Sequence, residues 1–226
     1  RLTMKMIEAV IFDMDGVLTD TMPLYYEATR DTLIPFDIDY TWEQNDRLKG
    51  ISRRETIRTA WEEAGRKIEE DLEIRLAEER NQRYLQLMDS LTPDHVLPGM
   101  ESFLKELREN GIRMAVASSS RNAPEVLKKT GLSWAFEYII DPLSLNRGKP
   151  DPEIFLKARE VLGVEERRCV GIEDGEAGLR GLLETGMFTV GVGSDPFMRN
   201  ADWSISSTGD LTLEALQEQY HKWCVT

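Results

Sequence analysis

Short apolar runs that end abruptly in polar residues recur along the chain. They are Ile7 with Val10-Ile11-Phe12, then Arg113-Met114-Ala115-Val116-Ala117, Tyr138-Ile139-Ile140, Cys169-Val170-Gly171-Ile172 and Thr189-Val190-Gly191-Val192. Each is short and is followed by polar loop residues, which predicts buried β-strands. Between them the period changes to that of a helix: Met100, Phe103, Leu104 and Leu107 fall at i, i+3, i+4 and i+7, and Gly111 stops the pattern. Strands alternating with helices predict an α/β fold, a Rossmann-like parallel sheet covered by helices on both faces. Ligands of such sheets bind beyond the carboxyl ends of the strands, so functional residues are expected just after each apolar run.

Residues 21–94 break the alternation, with helical patterns rich in Glu and Arg and no convincing strand. This predicts an inserted helical cap domain, 21–94, within a core domain made of 1–20 and 95–226. Pro93 and Pro98-Gly99 mark the return to the core.

Charge narrows the class of ligand. Against 28 Lys and Arg stand 41 Asp and Glu in 226 residues, a net charge of −13. Such a surface repels nucleic-acid backbones and anionic membranes, so neither is an expected partner. Any phosphate must be met by a few placed cations. The run from Met6 to Phe12 is interrupted by Glu8 and is too short for a signal-peptide core or a membrane span, and the expected location is cytoplasmic. Cys169 and Cys224 are too far apart in sequence for a CxxC motif, and His95 and His221 leave little material for a histidine-based site. The acids are left to do the chemistry. Trp42, Trp61, Trp134 and Trp203 are read as packing residues.

The run Asp13-Met14-Asp15-Gly16-Val17-Leu18-Thr19-Asp20-Thr21, directly after the first predicted strand, puts two carboxylates two residues apart where Gly16 allows a sharp turn. It resembles the first motif of the haloacid dehalogenase superfamily, whose phosphotransferases use an aspartate as nucleophile. Ser118-Ser119-Ser120 after the second run, Lys149 in Gly148-Lys149-Pro150-Asp151-Pro152, and Glu173-Asp174 after Ile172 are similar to the later motifs, in the same order. The resemblance implies that Asp13 attacks phosphorus and Asp15 acts as general acid and base. It also implies that Ser118 bonds a phosphoryl oxygen and that Lys149 offsets charge. Asp13, the Asp15 carbonyl, Glu173 and Asp174 would then hold Mg²⁺, a hard ion that takes oxygen ligands.

Within the superfamily the resemblance to the β-phosphoglucomutases extends into the cap. Lys49-Gly50-Ile51-Ser52-Arg53 is similar to that family's cap loop, and Arg80 lies in a stretch similar to its second cap helix. Ser119, Ser120, Arg121 and Asn122 resemble its phosphate- and sugar-contacting loop. The implied substrate is a phosphorylated sugar, with Lys49, Gly50, Ser52, Arg53, Arg80, Ser119, Ser120, Arg121 and Asn122 binding it. The implied reaction interconverts β-hexose 1-phosphate and hexose 6-phosphate in a monomer. Tyr25 departs from the pattern, standing where these mutases usually carry a histidine. A phosphatase acting on a small sugar phosphate is therefore the alternative. A non-catalytic binding protein is disfavoured, because the acids, serine and lysine of the motifs are all present.

Overall fold

The computed structural model describes residues 6–226; the first five residues of the expected core segment, Met4 among them, lie outside this range. Its centre is a six-stranded, all-parallel sheet of β1 (Ala9–Phe12), β2 (Arg113–Val116), β3 (Tyr138–Ile139), β4 (Cys169–Glu173), β5 (Phe188–Val192) and β6 (Trp203–Ile205). The order across the sheet is β3-β2-β1-β4-β5-β6. The first five strands coincide with the predicted apolar runs to within a residue or two at each end. The sixth carries only three residues, of which Ser204 is exposed, and such a short edge strand leaves no periodic signal.

Alternation along β1 distributes its side chains to two cores. Val10 and Phe12 join Met114, Val116, Val170, Ile172 and the buried face of α5 (Met100–Glu109) on one side, where α9 (Leu213–Cys224) also packs. Ala9 and Ile11 join Ala115, Cys169 and residues of α7 (Glu153–Leu162) and α8 (Glu176–Leu183) on the other. The predicted stripe of α5, Met100, Phe103, Leu104 and Leu107, is wholly buried. With both faces covered, β1, β4 and β5 are buried at every position rather than alternating, as central parallel strands are.

The chain leaves the sheet after β1 and returns before β2. In that interval lie α1 (Met22–Leu33), α2 (Trp42–Arg47), α3 (Arg53–Glu63) and α4 (Glu70–Met88), and no strand occurs among these residues. The four helices enclose their own apolar cluster of Leu33, Ile38, Tyr40, Ile57, Ala60, Trp61, Leu76 and Ala77. Two crossing segments carry the connection, where Asp20 N–H donates to the His95 carbonyl at 2.8 Å and Leu97 N–H to the Leu18 carbonyl at 3.0 Å. Two of the tryptophans read as packing residues are instead substantially exposed, Trp42 at 45% and Trp134 at 40%. Trp42 opens α2 at the surface and meets Tyr26 edge to face, and the Arg108 guanidinium covers Trp134.

Candidate active site

β1 is the central strand at which the connections switch direction, with β2 on one side and β4 on the other. Loops leaving neighbouring strands there diverge to opposite faces, and a crevice opens at the carboxyl ends. Asp13 follows β1, Ser118 follows β2, Glu173 ends β4, and Lys149 arrives on the loop between β3 and α7. The sheet thus gathers residues that are far apart in sequence.

Lys149, with its side chain wholly buried, donates from Nζ to Asp13 Oδ1 at 2.9 Å and to Glu173 Oε1 at 3.3 Å. The Phe155 ring lies 5.4 Å from the same ammonium. Burial would push the Asp13 pKa up, but the Lys149 charge and hydrogen bonds from its neighbours outweigh this and hold it below the usual carboxylate range. Asp15 moves the other way: burial and the Asp13 charge push it up to about 7, although the Thr21 hydroxyl donates to its Oδ1. Glu173 and Asp174 are also pushed up, first by burial and then by the charge on Asp13.

Asp13, Glu173 and Asp174 offer carboxylate oxygens that lie within 4.8 Å of one another. Glu173 Oε2 is buried and has no hydrogen-bond partner among the described residues. It sits against Gly178 of α8, where an added Cβ would come within 1.7 Å of it, and a Cβ on Gly16, at φ +84°, would fall 2.0 Å from Asp174 Oδ2. Among the described residues, Lys149 and Lys49 form the ion pairs to this cluster. Crowded, under-neutralised oxygen donors with an unpartnered carboxylate oxygen fit a hard divalent cation such as Mg²⁺.

The cap closes over these acids and bounds a cleft of about 160 Å³. A single water needs roughly 10–15 Å³ of such space, so the cleft admits a molecule far larger than water. Lys49, Gly50, Ser52, Arg53, Arg80, Ser119, Ser120, Arg121 and Asn122 all line it together with Asp13 and Asp15. Several are occupied in joining cap to core. The Lys49 ammonium lies 3.4 Å from Asp174 and 3.1 Å from Asp46. Ser119 Oγ donates to the Gly50 carbonyl at 2.7 Å, and Asn122 Nδ2 to Asn81 Oδ1 at 2.9 Å.

Other side chains shape the local backbone. Ser52 Oγ caps α3 by accepting from Glu55 N–H, while Ser118 and Ser120 hydroxyls accept from Ser120 N–H and Asn122 N–H, both at 3.1 Å. Arg53, whose side chain is 15% exposed, has its pKa lowered by burial and then by the like charges of Arg121 and Arg80. Guanidiniums that repel one another in a half-buried cleft form a place for an anion.

Sequence reasoning missed three features. Thr21 bonds Asp15. Glu73, 4% exposed, is gripped by Arg54 and Arg58, with contacts of 2.6 and 2.5 Å. Tyr84 lines the cleft, stacked on Tyr25, the residue that the sequence marks out by its departure from the family pattern. A usable signal existed for Tyr84: Arg80, Asn81 and Tyr84 follow the i, i+1, i+4 spacing that places them on one face of α4.

A model of the family described as haloacid dehalogenase-like hydrolase matches residues 7–186. The chain is 40% identical to a β-phosphoglucomutase of Bacillus subtilis over 96% of its own length and 97% of that protein's. It is 33% identical to a phosphorylated carbohydrates phosphatase of Thermotoga maritima over 80% and 82% of the two lengths. The crystal structure of a β-phosphoglucomutase from Clostridium difficile superposes with a TM-score of 0.93 at 39% identity, covering 98% of this chain and all of that one. The fold, the order of acids, serine and lysine around its central crevice, and these likenesses place the chain in the haloacid dehalogenase-like hydrolase family, as an enzyme with phosphoryl-transferring mutases and phosphatases among its relatives.

Proposed function

We propose that this enzyme interconverts β-hexose 1-phosphate and hexose 6-phosphate by way of a phosphoryl group held on Asp13. The observation that carries the reading is that one cleft joins the Asp13 and Asp15 carboxyls to the cluster of Arg53, Arg80 and Arg121. A cleft with a reaction centre at one side and an anion site at the other suits a substrate that carries two phosphates during turnover. In this reading residues 21–94 act as a cap over a core of 1–20 and 95–226.

The roles follow from the electrostatics. The depressed pKa of Asp13 keeps it ionised, and Lys149 fixes it through Oδ1. Its carboxylate attacks phosphorus, the bond from phosphorus to the sugar oxygen breaks, and Asp15, protonated near neutral pH, supplies the proton that the departing oxygen takes up. In the second half the acceptor hydroxyl gives its proton to Asp15 and attacks phosphorus, and the bond to Asp13 breaks. Ser118 and the arginines hold phosphoryl oxygens. Mg²⁺ bound by Asp13, the Asp15 carbonyl, Glu173 and Asp174 would offset the like charges of nucleophile and phosphate.

Incubation with β-glucose 1-phosphate, Mg²⁺ and a trace of the 1,6-bisphosphate tests the proposal, with hexose 6-phosphate and free phosphate measured together. Hexose 6-phosphate should dominate. Dominant free phosphate would favour the second reading, a sugar-phosphate phosphatase, which Tyr25 in place of the mutases' usual histidine and the Thermotoga relative both support.

A further inference from the structure

The three clustered acids take their positive charge from two different parts of the fold. Asp13 and Glu173 share the ammonium of Lys149, which arrives on a loop of the core. Asp174 is paired instead, among the described residues, with Lys49, which stands on the cap side between α2 and α3. Its Nζ lies 3.4 Å from Asp174 Oδ2 and donates to Asp46 Oδ1 of α2 at 3.1 Å. Lys49 thus has one carboxylate partner on each side of the cleft, Asp174 buried and Asp46 exposed.

The backbone seats this lysine. A Cβ on Gly175, the residue after Asp174, would lie 3.3 Å from Lys49 Cγ, so the glycine leaves room for the lysine stem. One residue beyond Lys49, the Gly50 carbonyl accepts from Ser119 Oγ at 2.7 Å. The loop that carries Lys49 therefore rests on the core beyond two strand ends, those of β4 and β2.

A divalent cation held by Asp13, Glu173 and Asp174 would neutralise the charge that draws Lys49 to Asp174 and would repel its ammonium. Asp46 already contacts that ammonium, so Lys49 keeps an ion pair when it lets go of Asp174. Two cations that draw on one carboxylate lower each other's affinity by the same factor.

We propose that Lys49 and the divalent cation are antagonistic ligands of Asp174, so that metal binding releases one tie between cap and core while a docked Lys49 weakens metal binding. This deepens the reading of the three acids as a Mg²⁺ site and rests on it. The ammonium shuttles between Asp174 and Asp46, and the loop around it loosens when it faces Asp46. Filling of the metal site is thereby linked to opening of the cleft through which a substrate enters.

The test reads binding rather than turnover, with Mn²⁺ as the probe and its free concentration followed by electron paramagnetic resonance. Lys49→Met keeps an unbranched stem and removes the charge, and its Kd for Mn²⁺ should fall about three- to tenfold below that of the wild type. Lys49→Arg, which keeps the charge, should stay near the wild-type value. In the reciprocal measurement, Mg²⁺ should speed amide hydrogen exchange in the loop from Leu48 to Ser52 of the wild type and leave it unchanged in Lys49→Met. Equal or weaker Mn²⁺ binding by Lys49→Met overturns the antagonism and leaves the metal site standing. Tighter binding with loop exchange indifferent to Mg²⁺ in the wild type overturns the release of the tie. Mn²⁺ binding that is absent from the wild type, or that survives unchanged in Asp174→Asn, sinks the reading of the acids as a metal site and the antagonism with it.

Discussion

Asp13 and Asp15 are separated by a single residue, yet their carboxyls are driven in opposite directions. Lys149 Nζ at 2.9 Å stabilises the charge on Asp13, whereas at Asp15 burial and the Asp13 charge outweigh the Thr21 hydroxyl and the Lys149 charge. Pairs of carboxyls pushed apart in this way divide the labour between nucleophile and proton carrier. Asp13→Asn is expected to abolish formation of the phosphoryl-enzyme, because an amide does not attack phosphorus, with circular dichroism unchanged; full turnover would contradict the role. Asp15→Asn should slow transfer from poor leaving groups by about 10²–10⁴-fold, the usual worth of a positioned proton donor. With Asp15 near 7, the wild-type rate on such substrates should decline as the pH rises above about 7, and that decline should vanish in Asp15→Asn.

At the scale of elements, the sharpest electrostatic feature lies between α3 and α4. Glu73 is pulled below its usual pKa because hydrogen bonds from Arg58 and Arg54 outweigh its burial. The clamp fixes the start of α3, where Ser52 and Arg53 line the cleft, against α4, which carries Arg80 and Tyr84. A carboxyl with a depressed folded-state pKa adds stability that is present above its unfolded value of about 4.5 and lost as the pH falls through the lower folded value. Glu73→Gln should therefore lower the melting temperature at pH 7. The gap to wild type should close on acidification below about pH 4.5. A gap independent of pH would show that Glu73 contributes packing alone. Arg54 and Arg58 are each more than 40% exposed, so solvent screening keeps the effect modest.

For the whole molecule, the relation of cap to core governs what reaches Asp13. Beyond the crossing segments at Asp20 and Leu97, the two parts are joined across the cleft by Lys49 with Asp174, Ser119 with Gly50, and Asn122 with Asn81. In the proposed reaction a closed cap would exclude water from the phosphorylated aspartate until an acceptor is seated. Combining Ser119→Ala with Asn122→Ala removes two of these ties without touching the acids. The double variant should show a larger radius of gyration in solution scattering and release more free phosphate per hexose 6-phosphate formed. Unchanged scattering and product ratio would mean that packing alone holds the cap shut.

The strands, their order of use and the acids at their ends are legible in the sequence because a buried parallel strand is a short apolar run and its chemistry follows at once. Val10-Ile11-Phe12 before Asp13 and Cys169-Val170-Gly171-Ile172 before Glu173 are local patterns that need no knowledge of their neighbours. The helical nature of the 21–94 insertion is equally local. What the sequence leaves open are relations between side chains distant along the chain. Lys149 reaches Asp13 across 136 positions, and Arg80 reaches Thr29 across 51. Tyr25 meets Tyr84 only because α1 and α4 pack together, which turns a departure from a motif into a wall of the cleft. The pKa of Asp15 likewise depends on burial and on a neighbouring charge, and both exist only once the sheet has brought the strand ends together. Local patterns thus determined five of the six strands, the stripe of α5, the helical insertion and the candidate chemistry at the strand ends. The tertiary structure decided which groups share charge, which residues line the cleft, and which residues join cap to core, because those properties arise from distances in space.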